Sequence, residues 1–108
     1  MTDVDKLNRL KILLGDDEDL PTDNELTEYL LIAEQEIINW LYIRTSVPEG
    51  AVFPSRYDNV QIMAVVAAVN IIGAEGETVH IENGTHRTFK YDDLLAYIRA
   101  HVQPYVMI

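Results

Sequence analysis

His80, Glu82 and His86 are the residue types in this chain that could bind a metal, and their spacing decides whether they could act together. They flank Asn83-Gly84, two residues that tolerate positive φ as a two-residue type I′ turn requires, so Val79 to Phe89 reads as a β-hairpin. With Asn83 and Gly84 as the turn, Glu82 opposes Thr85, Ile81 opposes His86, and His80 opposes Arg87. Alternation then puts His80 and Glu82 on one face and His86 on the other, with Val79, Ile81 and Thr88. One ion cannot collect all three without breaking the pairing, so these are read as ordinary polar hairpin residues. No metal and no cofactor is expected.

Other groups fail as catalysts for separate reasons. Carboxylates crowd at Asp16 to Asp19, at Glu75 with Glu77, and at Asp92 with Asp93. An acid–base pair needs a cleft that separates two pKa values, whereas acidic loop runs are solvated. Asp17-x-Asp19 lacks the glycine and the final bidentate glutamate of an EF-hand loop. Gly73-x2-Gly76 follows an apolar helical run rather than a strand and has no P-loop lysine. His101 stands alone near the end of a helical stretch, where a partly exposed histidine complements the helix dipole. There is no cysteine, and no serine or lysine has a nucleophile's setting. The expectation is a protein that is not an enzyme.

Arg87 is then the side chain of most interest. Its local partner across the strands is Glu82, on the diagonal. Its alternative partners are Glu75 or Glu77 of a neighbouring subunit. An exposed pair is worth roughly 0–1 kcal/mol, but a closed assembly repeats it at every interface. Gly73 and Gly76 are read as turn formers.

Four helical stretches must position these groups. The first runs from about Asp3 to Leu14, capped by Thr2, with Val4, Leu7, Leu10 and Leu14 on one stripe and Gly15 as the stop. Thr22 and Glu25 form a capping box for a second helix reaching about Leu41. Its inward stripe is Leu26, Leu30, Ala33, Ile37, Trp40 and Leu41, and Glu28, Gln35 and Asn39 lie opposite. Leu31, Ile32 and Ile38 fall off that stripe and offer apolar surface to a neighbour. Ser55 is placed as the cap of a third helix from about Arg56 to Ile72, apolar on nearly every side and closed by Gly73. Small Ala64, Ala67 and Ala68 allow close approach. A fourth helix, capped by Asp92 or Tyr91, runs from Asp93 to about Val102, with Leu94, Leu95, Ile98 and Val102 inward and Pro104 ending it. The expected fold is all-α: a small bundle of three to four helices with a protruding β-hairpin between the third and fourth.

Composition bounds the rest. The 108 residues suit one domain, 1–108, with a thin core. The N-terminus lacks a signal peptide's basic and apolar regions, and the longest apolar run is far below the roughly 20 residues that span a bilayer. No membrane partner is expected. Net charge is −10, and eleven acids against three bases up to Glu36 place −8 of it in the first third. No basic patch exists for phosphate-backbone binding. The acidity suits solubility and helix dipoles, or a wall that repels DNA and lets it slide past.

The run Gly73 to Tyr91, G-A-E-G-E-x3-E-N-G-x2-R-x-[FY], resembles a signature in head–tail connector (head-completion, gp6-like adaptor) proteins of tailed bacteriophages and prophages. Leu7-Asn8-Arg9-Leu10-Lys11 with the acidic loop after it resembles that family's first helix. Glu25 to Trp40 resembles its second and Asn59 to Gly73 its apolar third, so the likeness covers nearly the whole chain. The sequence ends at Val106-Met107-Ile108, without the long tail on which a C-terminal family role would depend.

The resemblance implies a structural virion protein at the head–tail junction, assembled in the host bacterial cytoplasm. It implies a closed homo-oligomeric ring, typically twelvefold, beneath the portal protein. The ring would extend the channel, through which DNA passes without sequence-specific binding, and present a platform for a stopper or tail-completion protein. Interface candidates are then Leu31, Ile32 and Ile38 on the second helix, with Glu75, Glu77, His80, Glu82, Asn83, Gly84 and Arg87 in the hairpin region. Two rival readings stand beside it: a cytoplasmic helical adaptor that binds a host protein through the hairpin, and an acidic DNA mimic.

Overall fold

A computed structural model gives the fold and describes residues 1–15, 20–74 and 89–106. These form four helices: α1 (Asp3–Leu14), α2 (Asp23–Leu41), α3 (Asp58–Ala74) and α4 (Tyr91–His101). No β-strand occurs among the described residues. The expected hairpin, Val79 to Phe89, lies outside them except for Phe89. Glu75, Glu77, His80, Glu82, Asn83, Gly84 and Arg87 lie outside them too, as does the acidic run Asp16 to Asp19.

Capping chemistry starts the first two helices. The Thr2 hydroxyl accepts from the Asp5 N–H at 3.0 Å, and the Asp5 carboxylate accepts from the Thr2 N–H. Thr22 and Glu25 repeat the arrangement at 3.2 and 2.9 Å. Each box satisfies two otherwise orphaned donors, and removing such a cap costs about 1 kcal/mol. Gly15 ends α1 at φ 90°, a backbone conformation that suits glycine, and its N–H donates to the Lys11 carbonyl.

The third and fourth helices start differently from expectation. Ser55 opens a 3₁₀ turn, Ser55–Tyr57, and Asp58 begins the α-helix. Gly73 does not close α3, which continues through it to Ala74. Helix α4 begins at Tyr91, with Lys90 at the cap position and no side-chain cap bond; Asp92 and Asp93 lie in its first turn. The Lys90 N–H instead donates to the Ala68 carbonyl at 3.0 Å, which ties the start of α4 to the middle of α3.

Helix α3 packs against α1, α2 and α4 at once. Ile62, Ala64, Val65, Ala68 and Val69 are all essentially inaccessible, as all-round apolarity demands. One core cluster joins them to Leu10 and Leu14 of α1, to Leu26, Leu30, Ala33, Ile37 and Leu41 of α2, and to Leu94 and Ile98 of α4. Truncating one of these large side chains to alanine costs roughly 2–5 kcal/mol.

Three polar groups, Gln61, Lys6 and Asp58, are buried with the core. Gln61 Nε2 donates to the Leu30 carbonyl at 2.7 Å and so joins α3 to α2. Lys6 replaces Val4 on the inner face of α1: Val4 is 66% exposed and Lys6 only 5%. At about 100° per residue Val4 sits well off the Leu10–Leu14 line, whereas Lys6 sits close to it. The Lys6 ammonium meets Asp58 at 3.3 Å and lies 4.9 Å from the centre of the Phe53 ring.

Asp58 is itself buried and its other carboxylate oxygen meets the Met1 ammonium at 3.3 Å, so removing Asp58 strands the buried Lys6 charge, whereas removing Lys6 leaves Asp58 one partner. Asp58→Ala is expected to cost about 3 kcal/mol, while Lys6→Met with Asp58→Ala costs much less than the sum of the single changes. Urea unfolding of the four members of this cycle checks it; additive losses would show that the two groups act independently.

Candidate interaction surface

The interface candidates on α2 separate by position. Leu31 is 49% exposed, Ile32 is half-buried against the core cluster, and Ile38 is 8% exposed. Ile38 therefore offers almost no surface in this chain, contrary to the helical-wheel reading. It lies in the last part of α2, to which the chain's C-terminal segment is pinned. There Trp40 Nε1 donates to the Val102 carbonyl at 2.8 Å, and the Tyr105 N–H donates to the Leu41 carbonyl at 2.8 Å. Local crowding of this kind is not carried by a wheel.

The same corner is stiffened by aromatic contacts. Tyr42 and Tyr105 meet edge to face at 5.1 Å, Arg56 lies over Tyr57 and donates to the Tyr105 hydroxyl, and Arg99 lies 5.4 Å from the Trp40 ring centre. Side-chain hydrogen bonding with Tyr57, and then with Tyr105, raises the Arg56 pKa above its ordinary value. Beyond the corner Ile43, Val47, Val52 and Val106 remain exposed.

Two further surfaces were not singled out from the sequence. One is the outer side of α1, a shallow groove lined by Met1, Asp5, Asn8, Arg9, Ile12 and Leu13. Ile12 is 78% exposed and Leu13 45%. Two apolar residues off the stripe of an amphipathic helix were the available signal. The other is an open groove between α3 and α4, walled by Val66, Ala67, Ala96, Tyr97 and Ala100 with Asp93 on its edge.

The titratable groups show no catalytic arrangement among the described residues. No cluster of three or more His, Asp or Glu side chains could hold a metal there. His101 is exposed, stacks on Tyr97 at 4.0 Å, and has Nδ1 2.9 Å from the Tyr97 carbonyl oxygen. Asp92 and Asp93 occupy the first turn of α4, where the dipole favours negative charge. Tyr29 stacks on Phe89 at 4.2 Å, and burial, with Glu25 nearby, raises its pKa.

The described helices leave Ile12, Leu13 and Leu31 exposed on their outer faces. The model of the family described as phage gp6-like head-tail connector protein matches residues 4–105, so the chain belongs to that family. Its family role is that of a structural component of the phage virion rather than an enzyme. No curated protein and no solved structure matches the chain. No helix among the described residues is long and apolar enough to cross a membrane.

Tyr91 supplies a pH-dependent tie between α4 and α2. Its hydroxyl donates to the Glu36 carboxylate, and this bond is the largest cause of a phenol pKa raised above 10.0. A raised folded-state value means the bond contributes stability fully below about pH 10 and loses it as pH climbs through the folded-state pKa. Tyrosinate absorbance should therefore show Tyr91, like Tyr29, titrating late, and Glu36→Gln should bring the Tyr91 part of that late titration back toward the ordinary range. An unchanged titration in that variant would mean the bond does not form in solution.

Proposed function

We propose that the chain forms a closed ring beneath the portal vertex, connects the DNA-filled head to the tail, and extends the DNA channel. The family match over residues 4–105 carries this reading. Exposed Leu31 and the grooves on α1 and between α3 and α4 supply the uncovered apolar surface that subunit contacts need. The formal charge of −10 gives each copy a surface that repels DNA, which suits passage without capture. Assembly takes place in the host cytoplasm on a filled head, and the partners are the portal on one side and a stopper or tail-completion protein on the other. The chain acts as a single domain in this role.

The polar stretch 75–88 is assigned to those partner contacts on sequence grounds, with Asn83-Gly84 as its turn and Arg87 as its charged anchor, near Glu75, Glu77, His80 and Glu82. Mixing the chain with the cognate portal protein and measuring mass by light scattering is the primary test. Several copies should bind each portal. A chain that stays free in that mixture overturns the ring reading.

In infected cells Gly84→Val and, more mildly, Arg87→Glu should leave far-UV circular dichroism unchanged. Filled heads and free tails should accumulate unjoined. Normal virion yield from both variants would move the partner surface onto the helices.

A further inference from the structure

We propose that the outer face of α1 in one copy seats in the α3–α4 groove of the next copy, running antiparallel to α4. The inference rests on the ring reading above and names the surfaces that would build it.

Helix α1 is apolar on two sides. Leu10 and Leu14 serve its own core, while Ile12, which is 78% exposed, lies nearly opposite them with Met1, Asn8 and Arg9 nearby. Nothing within the described chain covers this second side. The α3–α4 groove is lined by Val66, Ala67, Ala96 and Ala100 together with the stacked Tyr97 and His101 and with Asp93, and its three alanines leave room for another helix to approach. Helix axes at such contacts come within roughly 8–10 Å.

Length and charge fix the occupant and its direction. Helix α1 has 12 residues and α4 has 11, so each spans about 17 Å. Both begin acidic and end basic: Asp3 and Asp5 then Lys11 on α1, Asp92 and Asp93 then Arg99 and His101 on α4. A parallel arrangement would set like charges side by side. An antiparallel one sets Asp5 near His101 and brings Arg9 toward Asp93, with Asn8 beside Ala96 at the centre, and it also opposes the two helix dipoles.

The two surfaces are different patches of one molecule. The contact is therefore head-to-tail, the kind that closes into a ring when the rotation between copies closes. A single helix-in-groove contact is small by the standard of stable interfaces, so each copy gains from making it twice, once with each neighbour.

The absence of cysteine makes the test direct. Asn8→Cys and Ala96→Cys chains, both exposed positions, are mixed with the portal protein under mild oxidation and sized by light scattering. The expected result is a covalent dimer containing one chain of each kind, about tenfold more abundant than either homodimer. Ile12→Asp should weaken association about tenfold or more while leaving circular dichroism unchanged. Arg9→Asp and Asp93→Arg should each weaken it, and the two together should recover most of the loss.

Assemblies of full mass that give no mixed dimer overturn this docking while the ring reading survives. Homodimers of the Asn8→Cys chain alone would show that α1 pairs with itself and would overturn it equally. Failure of any chain, unmodified included, to assemble on the portal overturns both.

Discussion

The all-round apolarity of α3 is the constraint on which the other helices depend. Ile62, Ala64, Val65, Ala68 and Val69 leave that helix no side fit for water, so α1, α2 and α4 must all lie against it. The two alanines set how close they come, because a larger residue at either place would push a neighbouring helix outward. The polar groups that reach this region do so as ties. Gln61 spans from α3 to the Leu30 carbonyl, and Asp58 at the first turn of α3 holds Lys6 of α1. Each fixes one partner helix in rotation as well as in distance, which nondirectional apolar contacts cannot do.

Wrapping one central helix has a cost at the surface. Each outer helix needs only one inward stripe, so apolar residues beyond that stripe are left facing water, as Ile12 and Leu31 are. In a lone monomer such residues are tolerated singly and need no account. In a member of the connector family they acquire one, because a virion component spends its working life against neighbours. The same chain pins residues 102 to 105 to the end of α2, through Trp40 to Val102 and Tyr105 to Leu41, and leaves Ile43, Val47, Val52 and Val106 exposed beyond that corner.

What was legible in the sequence was local chemistry. The Thr2 cap, the Thr22–Glu25 capping box, the Gly15 stop, the inward residues of α2 except half-buried Trp40, and the central place of α3 follow from spacings of three and four residues, and the structure has them; the Asp5 half of the first box was not read from the sequence. What was not legible depended on partners far along the chain. Lys6 is buried because Asp58, more than fifty positions later, waits for its charge. Ile38 is buried in a part of α2 to which residues 102 to 105 return. Gly73 lies inside α3, which runs to Ala74, and does not take the positive φ with which Gly15 ends α1. The outer face of α1 was readable as a second apolar side but was masked by assigning Val4 to the inward stripe. The hairpin residues, including Arg87, lie outside the described part, so their place rests on the Asn83-Gly84 turn chemistry alone.

Acidity adds a last constraint on any assembly this chain makes. A copy carrying −10 resists its neighbours, and the repulsion grows with every subunit added to a closed ring. Apolar contact alone must then outweigh a like-charge field, unless the few basic residues stand where copies meet. Lys6 and Lys11 are already committed inside the chain, to Asp58 and Asp23. Arg9, by contrast, lies on the exposed side of α1 beside Ile12, the most exposed large apolar residue of that helix. Placing a cation next to the apolar contact point lowers repulsion at the site of association and leaves the remaining acids to face solvent or DNA. An interface elsewhere on the acidic first third would have no uncommitted cation of its own at the contact, because Lys6 and Lys11 are engaged within the chain. The charge distribution thus favours the outer face of α1 over Leu31, whose neighbours along α2 include Glu28 and Glu34, as the surface from which a ring could grow.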